Sequence, residues 1–92
     1  MTRAECIAEL RQRRDACQRT AEIHPCELAR ARSWGRVAAY ESTERSVQRR
    51  DPWLALSLLL GGDWPPLTGH VAGQREAYRN ALELVGQIAG EP

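Results

Sequence analysis

The sequence lacks an apolar run long enough to cross a membrane. Its longest, Trp53–Leu60 within "DPWLALSLLLGGDWPP", has eight residues. As a helix it covers ~12 Å, against a hydrocarbon core of ~30 Å. We expect no secretory signal: "MTRAECIAEL" places acids where the apolar core of a signal would sit. There is no Cys-x-x-Cys knuckle of the kind that structural zinc sites use. Gly-x-Ser-x-Gly, a Gly-rich phosphate loop and His-Glu-x-x-His are all absent. These absences point away from membrane proteins and enzymes. We expect no catalytic residue, no metal and no cofactor.

Lysine and phenylalanine do not occur, so all 13 basic residues are Arg. We read this chiefly as the codon usage of a GC-rich genome. The planar guanidinium also suits carboxylate and phosphate contacts, but that chemistry still needs a site. The three Cys lie within the first 26 residues. An odd number argues against a secreted disulfide framework and for a reducing, cytoplasmic setting. Cys17, His24 and Cys26 cluster around a chain break. Cys6 lies ~16 Å from Cys17 along one helix, too far to share an ion, so buried free thiols are expected.

What is present fits a globular chain: 92 residues, 42% hydrophobic and 27% charged. We expect one helical domain over 1–92. Net charge is +1, unevenly spread. Residues 1–50 carry 11 Arg against 7 acids (+4), and residues 51–92 carry 2 Arg against 5 acids (−3). Such a chain can pair with itself or offer its basic half to an acidic partner.

Thr2-Arg3-Ala4-Glu5 matches a capping box and predicts a first helix over 3–23. At 100° per residue, Cys6, Ile7, Leu10, Cys17 and Ala21 share one stripe. Arg14 interrupts it, and must snorkel or pair with an acid from another helix or chain. Glu9–Arg13 and Asp15–Arg19 are i,i+4 pairs in the favourable order. His24-Pro25 breaks this helix, and Pro25 predicts the first position of a second, over 25–49. On that helix Leu28, Ala31, Gly35, Ala38 and Ala39 form a small-residue face. Ala29, Val37, Tyr40 and Val47 form another, and Trp34 points to neither. Two apolar faces require two neighbours, both within the domain or one from another chain.

Asp51-Pro52 opens a short third helix, and Gly61-Gly62 stops it. Its residues are apolar nearly all round, so it is expected inside the bundle. "DWPPLTG" then runs extended, with Trp64 as a lid on the core. Trp53 is expected in the core. Thr68 or Gly69 begins a last helix reaching about Ala89 and ended by Gly90. Its stripe is Val71, Tyr78, Ala81, Leu82, Val85 and Ile88. The expected fold is all-α: a compact four-helix bundle-like domain with a short, buried third helix.

One internal echo stands out. "GRVAAYESTERSV" (35–47) and "GQREAYRNALELV" (73–85) share Gly, Ala, Tyr and Val at matching offsets. Gly-x-x-x-Ala-Tyr places small residues one turn apart ahead of an aromatic, as two closely approaching helices need.

This profile fits a small non-catalytic module that binds protein. Phage and mobile-element inhibitors of host machinery, such as inhibitors of CRISPR–Cas effectors, have this form. Arg30, Trp34, Arg36, Tyr40, Glu41 and Arg45 are the expected partner contacts, since Trp and Arg are enriched at interface hot spots. Ala29, Tyr40 and Val47 are the expected faces of a homodimer. The alternative is a nucleic-acid-binding regulator using Arg11, Arg14, Arg32, Arg36, Arg49 and Arg50. The interleaved acids count against it.

Overall fold

The computed structural model of the protein describes residues 1–49 and 51–88. These form four helices and no strand: α1 (Arg3–Ile23), α2 (Glu27–Val47), α3 (Pro52–Gly61) and α4 (Gly69–Val85). The architecture is all-α and four-helix bundle-like.

Local chemistry sets the ends of α1. Thr2 Oγ1 accepts from Glu5 N at 3.1 Å, and Thr2 N donates to Glu5 Oε1 at 3.0 Å. Each bond satisfies a donor that the helix start would leave orphaned. Pro25 forces His24 into extended backbone (φ −65°, ψ 133°) and so ends the helix. Cys6, Leu10 and Ala21 are buried on the inner side, with Ile7 and Cys17 half-buried beside them. α2 begins later than expected: Cys26 is its N-cap, in extended backbone, and Pro25 lies outside the helix. α2 then runs through Gly35 without a break to Val47. α4 ends at Val85, earlier than the expected Ala89, because Gly86 takes the C-cap. Ala89 and Gly90 lie outside the described residues.

α2 is the centre of the fold. It packs most extensively on α4 and next on α1, while α1 and α3 are not in contact. α1 runs antiparallel to α2. Arg3, at the start of α1, donates to the carbonyls of Val47 (2.6 Å) and Arg49 (3.0 Å) at the end of α2. At the other end Arg30 donates to the carbonyls of His24 (2.7 Å) and Pro25 (3.1 Å), closing the turn. α2 and α4 instead run in the same direction. Gly69 lies beside Leu28 and Ala31, Gly73 against Arg32, and Arg36 bonds Glu76 at 2.9 Å. The two apolar faces of α2 therefore both find neighbours inside one chain, except at Leu28, which stays exposed.

Parallel α2 and α4 require a return path. The 21 residues of α2 climb about 30 Å, and the 10 residues of α3 bring the chain back only about 15 Å. The non-helical segment 62–68, at up to about 3.3 Å per residue, covers the remainder. Its two prolines keep it extended.

The sequence echo is the seam itself. A Cβ on Gly35 would fall inside 3.0 Å of the His70 carbonyl, and one on Gly73 inside 3.0 Å of the Arg32 carbonyl. Each glycine thus admits the backbone of the other helix. The matched pairs that follow, Ala39 with Ala77, Tyr40 with Tyr78 and Val47 with Val85, are all buried. So are Gly35 and Gly73. The two glycine contacts exchange with the helices, since His70 occupies on α4 the place that Arg32 has on α2, and the seam is locally two-fold there.

The third helix departs from expectation. Only Pro52 and Leu56 are buried on it. Trp53, expected in the core, is 53% exposed. Trp64 does fold back: its ring lies 6.1 Å from that of Tyr78, tilted by 53°.

Candidate interaction surface

The apolar character of α3 faces outward. Leu54 and Leu58 are one turn apart, on the side opposite Leu56. Both are exposed, Leu58 at 69%. Trp53 and Leu59 are exposed as well, about 120° round the helix to either side of this stripe. No residue of Pro52–Gly61 is charged. The inner side is not fully satisfied either: Ser57 Oγ and Trp64 Nε1 are buried with no hydrogen-bond partner. Unpaired polar groups of this kind weaken the attachment of an element. Sequence reasoning missed Leu54, Leu58 and Leu59 as surface residues. A signal was available, since a ten-residue helix apolar on every side needs neighbours all round, and the chain is too short to supply them.

The expected partner contacts on α2 separate into two sets. Trp34 is 41% exposed, on the same helix face as Glu41 (half-buried) and Arg45 (exposed). Arg30 lies on that face too, but its guanidinium closes the α1–α2 turn. Arg36 and Tyr40 are elsewhere. Arg36 is held by Glu76, and Tyr40 is only 5% exposed within the core.

The expected self-association face is corrected by the same packing. Val47 is fully buried and joins Tyr40 in the core of a single chain, while Ala29 is half-buried. Tyr40 and Val47 are therefore not open to a second copy.

The Arg residues of the nucleic-acid alternative are not one free surface. Arg11 pairs with Glu44, Arg14 with Asp15 at 3.0 Å, and Arg36 with Glu76. Arg32 and Arg49 are exposed, and Arg50 lies outside the described residues. Arg14 escapes the apolar stripe by pairing along its own helix rather than with another. The hydrogen bonds that it donates to Asp15 hold its guanidinium above its ordinary pKa, and the charges of Asp15, Glu44 and Glu41 add to this, against an opposing effect of burial. Asp15 is thereby taken from Arg19, while the Glu9–Arg13 pair forms as expected at 3.0 Å.

The thiols are free. Burial pushes Cys6 and Cys17 above the usual thiol pKa, which disfavours the nucleophilic thiolate. Cys26 is exposed, and its N–H donates to His24 Nδ1 at 3.0 Å. That imidazole nitrogen therefore serves the turn. Among the described residues, no three His, Cys, Asp or Glu side chains converge to hold a metal ion, and no helix is long and apolar enough to cross a membrane.

The sequence matches no family model and no curated protein, and the fold matches no solved structure.

Proposed function

We propose that the protein is a non-catalytic module that acts by binding protein. One observation carries this reading: an uncharged helix presents Trp53, Leu54, Leu58 and Leu59 to solvent, on a scaffold whose other helices bury most of their apolar stripes, with Ile23, Leu28 and Trp34 as the exposed exceptions. Contiguous apolar patches on soluble chains mark interaction surfaces. Trp34, with Glu41 and Arg45 on its face of α2, supplies a second, amphipathic contact of the type found at interface hot spots. The finer form of the proposal is inhibition of host machinery, with a CRISPR–Cas effector as the example. Occluding a surface of such a target needs binding alone.

Affinity capture from host lysate tests the reading, using the unchanged chain, Trp34→Ala and Leu58→Glu, with and without nuclease. The reading expects a protein that survives nuclease and is lost with one of the two variants. Recovery of nucleic acid, falling steeply with salt, would instead favour the Arg-based regulator.

A further inference from the structure

We infer that the cavity at the α1–α2 turn is a binding site for a small organic carboxylate with a short apolar body. The site shares no residue with the α3 face or with Trp34, Glu41 and Arg45, so it goes beyond the protein-binding reading.

The first argument is a hydroxyl. The cavity has a volume of about 340 Å³, at the lower end for small-molecule pockets, and Ser33 is part of its lining. Two polar residues are buried among those described, Ser33 at 2% exposure and Thr43 at 0%, and both are on α2. Thr43 Oγ1 donates back to the Ala39 carbonyl at 2.8 Å. Ser33 makes no hydrogen bond with any described residue. A buried hydroxyl costs free energy unless it is bonded. Ser33 does not take the bond to its own helix that serves Thr43. Its donor and acceptors are left for whatever enters the cavity.

The second argument is charge. No acidic side chain lines the cavity, whereas two Arg and one His do. Arg36 is neutralised by Glu76 at 2.9 Å. Arg32 is exposed and pairs with no described residue, so one guanidinium fork is open. His24 Nδ1 accepts from Cys26 N, so the neutral ring carries its proton on Nε2 and donates there. The start of α2 adds to this. Cys26, Leu28 and Ala29 belong to it and line the cavity, and Cys26 provides no side-chain cap bond. An uncapped helix start favours an anion. Glu27, the acid of that turn, is exposed and outside the lining. One open guanidinium matches one negative charge, and a carboxylate accepts its fork in two parallel bonds.

The third argument is the apolar part of the wall. Leu28 is 58% exposed and Ala29 half-buried, and both face the cavity beside these donors. A bare, hydrated oxyanion would leave them uncovered. The body of an organic acid covers them, in the usual combination of apolar wall and a few fixed polar groups.

Amide chemical-shift titration with butyrate up to about 50 mM tests this, since a ligand of that size reaches about millimolar affinity. Acetate, butyramide and inorganic phosphate are the comparison probes. Butyrate should saturate, with shifts centred on Ala29, Arg32 and Ser33. Acetate lacks the body and butyramide the charge, so each should bind at least about fivefold more weakly. Arg32→Gln should weaken butyrate about tenfold, and Ser33→Ala about threefold to tenfold. Thermal unfolding without ligand separates a site from a structural bond: Ser33→Ala should leave the midpoint unchanged or raise it, because no hydrogen bond is lost. A butyrate titration that does not saturate overturns the inference, as does equal binding by butyramide or unchanged affinity in both variants. Tighter binding by phosphate overturns it too, since the site would then take bare oxyanions. So does a lowered midpoint in Ser33→Ala, which would give the hydroxyl a structural role. The proposed function fails separately, because its capture experiment turns on Trp34 and Leu58, and neither lines the cavity.

Discussion

Along the α2–α4 seam, the residues that allow the closest approach are Gly35, Ala39, Gly73 and Ala77, among the smallest side chains there are. On α3 the corresponding layer is leucine and tryptophan, and most of it faces out. Hydropathy ranks the two regions the other way round. Apolar content measures the free energy available from burial, but geometry decides whether it is realised. Two parallel helices with one small residue per turn bring their backbones together, and the larger Tyr40, Tyr78, Val47 and Val85 then close around the seam. α3 meets α4 and, less extensively, α2 on its inner side, so Leu54 and Leu58 on the opposite side have no neighbour.

Filling the seam should produce the largest effect. An added methyl at Gly35 or Gly73 would strike a backbone carbonyl, which cannot move as a flexible side chain can. Gly35→Ala and Gly73→Ala should each cost about 3 kcal/mol, at the upper end of overpacking. Since each glycine contacts the other helix, the double variant should depart from additivity. Thermal unfolding followed by circular dichroism reads both effects. If either alanine leaves the midpoint unchanged, the seam is looser than its contacts require.

Within α3 the two sides should respond differently. Leu56 is 2% exposed, and Leu56→Ala should cost about 2–4 kcal/mol by lost transfer energy and a cavity. Leu58→Ser should stay within about 0.5 kcal/mol under conditions where the chain is monomeric. Chemical denaturation at low protein concentration compares the two. Equal losses would mean that α3 is buried in solution, as its composition suggests.

The four helices and both strong stops were legible in the sequence, because caps, prolines and the 3.6 period act over a few residues. The echo from Gly35 to Val47 and Gly73 to Val85 was legible as close packing, and each of its shared positions is buried. The occupants of faces were not legible. Tyr40 and Val47 could meet a neighbour within the chain or in another copy, and periodicity is identical in both cases. Trp53 looked like core because it begins an apolar run, but only tertiary packing says how much of that run is covered. The departure of Arg14 toward Asp15 was equally hidden, since a rotamer choice on one helix leaves no mark on spacing.

Capping extends the comparison from side-chain packing to helix ends. The peripheral helices α1 and α3 have side-chain caps, from Thr2 and from Asp51, whose Oδ1 accepts from Leu54 N at 2.9 Å. The seam helices α2 and α4 have no side-chain cap bond at Cys26 or Thr68. The two helices outside the seam thus carry local side-chain bonds at their starts, and the seam pair does not. Asp51→Ala should cost about 1 kcal/mol, and Thr68→Ala only a few tenths. The two unfolding midpoints, measured side by side, check this. A larger loss for Thr68→Ala would reverse the ordering.

The smallest effect is a titration, and it belongs to the other capped end. Glu5 accepts from the backbone N–H of Thr2, and this bond holds its carboxyl below the usual carboxylate pKa. The Thr2 hydroxyl lowers it further, against a small opposing effect of burial. A carboxylate with a depressed folded pKa stabilises the fold above its unfolded pKa, and that contribution is lost as pH falls through the folded value. The first turn of α1 should therefore fray in acid, below the ordinary carboxylate range, while remaining intact at neutral and alkaline pH. Amide exchange and chemical shifts of Cys6 and its neighbours, recorded from neutral pH down to about pH 2, would resolve it. Glu5→Gln can keep the bond to Thr2 N but carries no charge to lose, so its first turn should show little acid dependence. If the unchanged chain and Glu5→Gln fray together, the acid sensitivity lies elsewhere and the capping box is not its source.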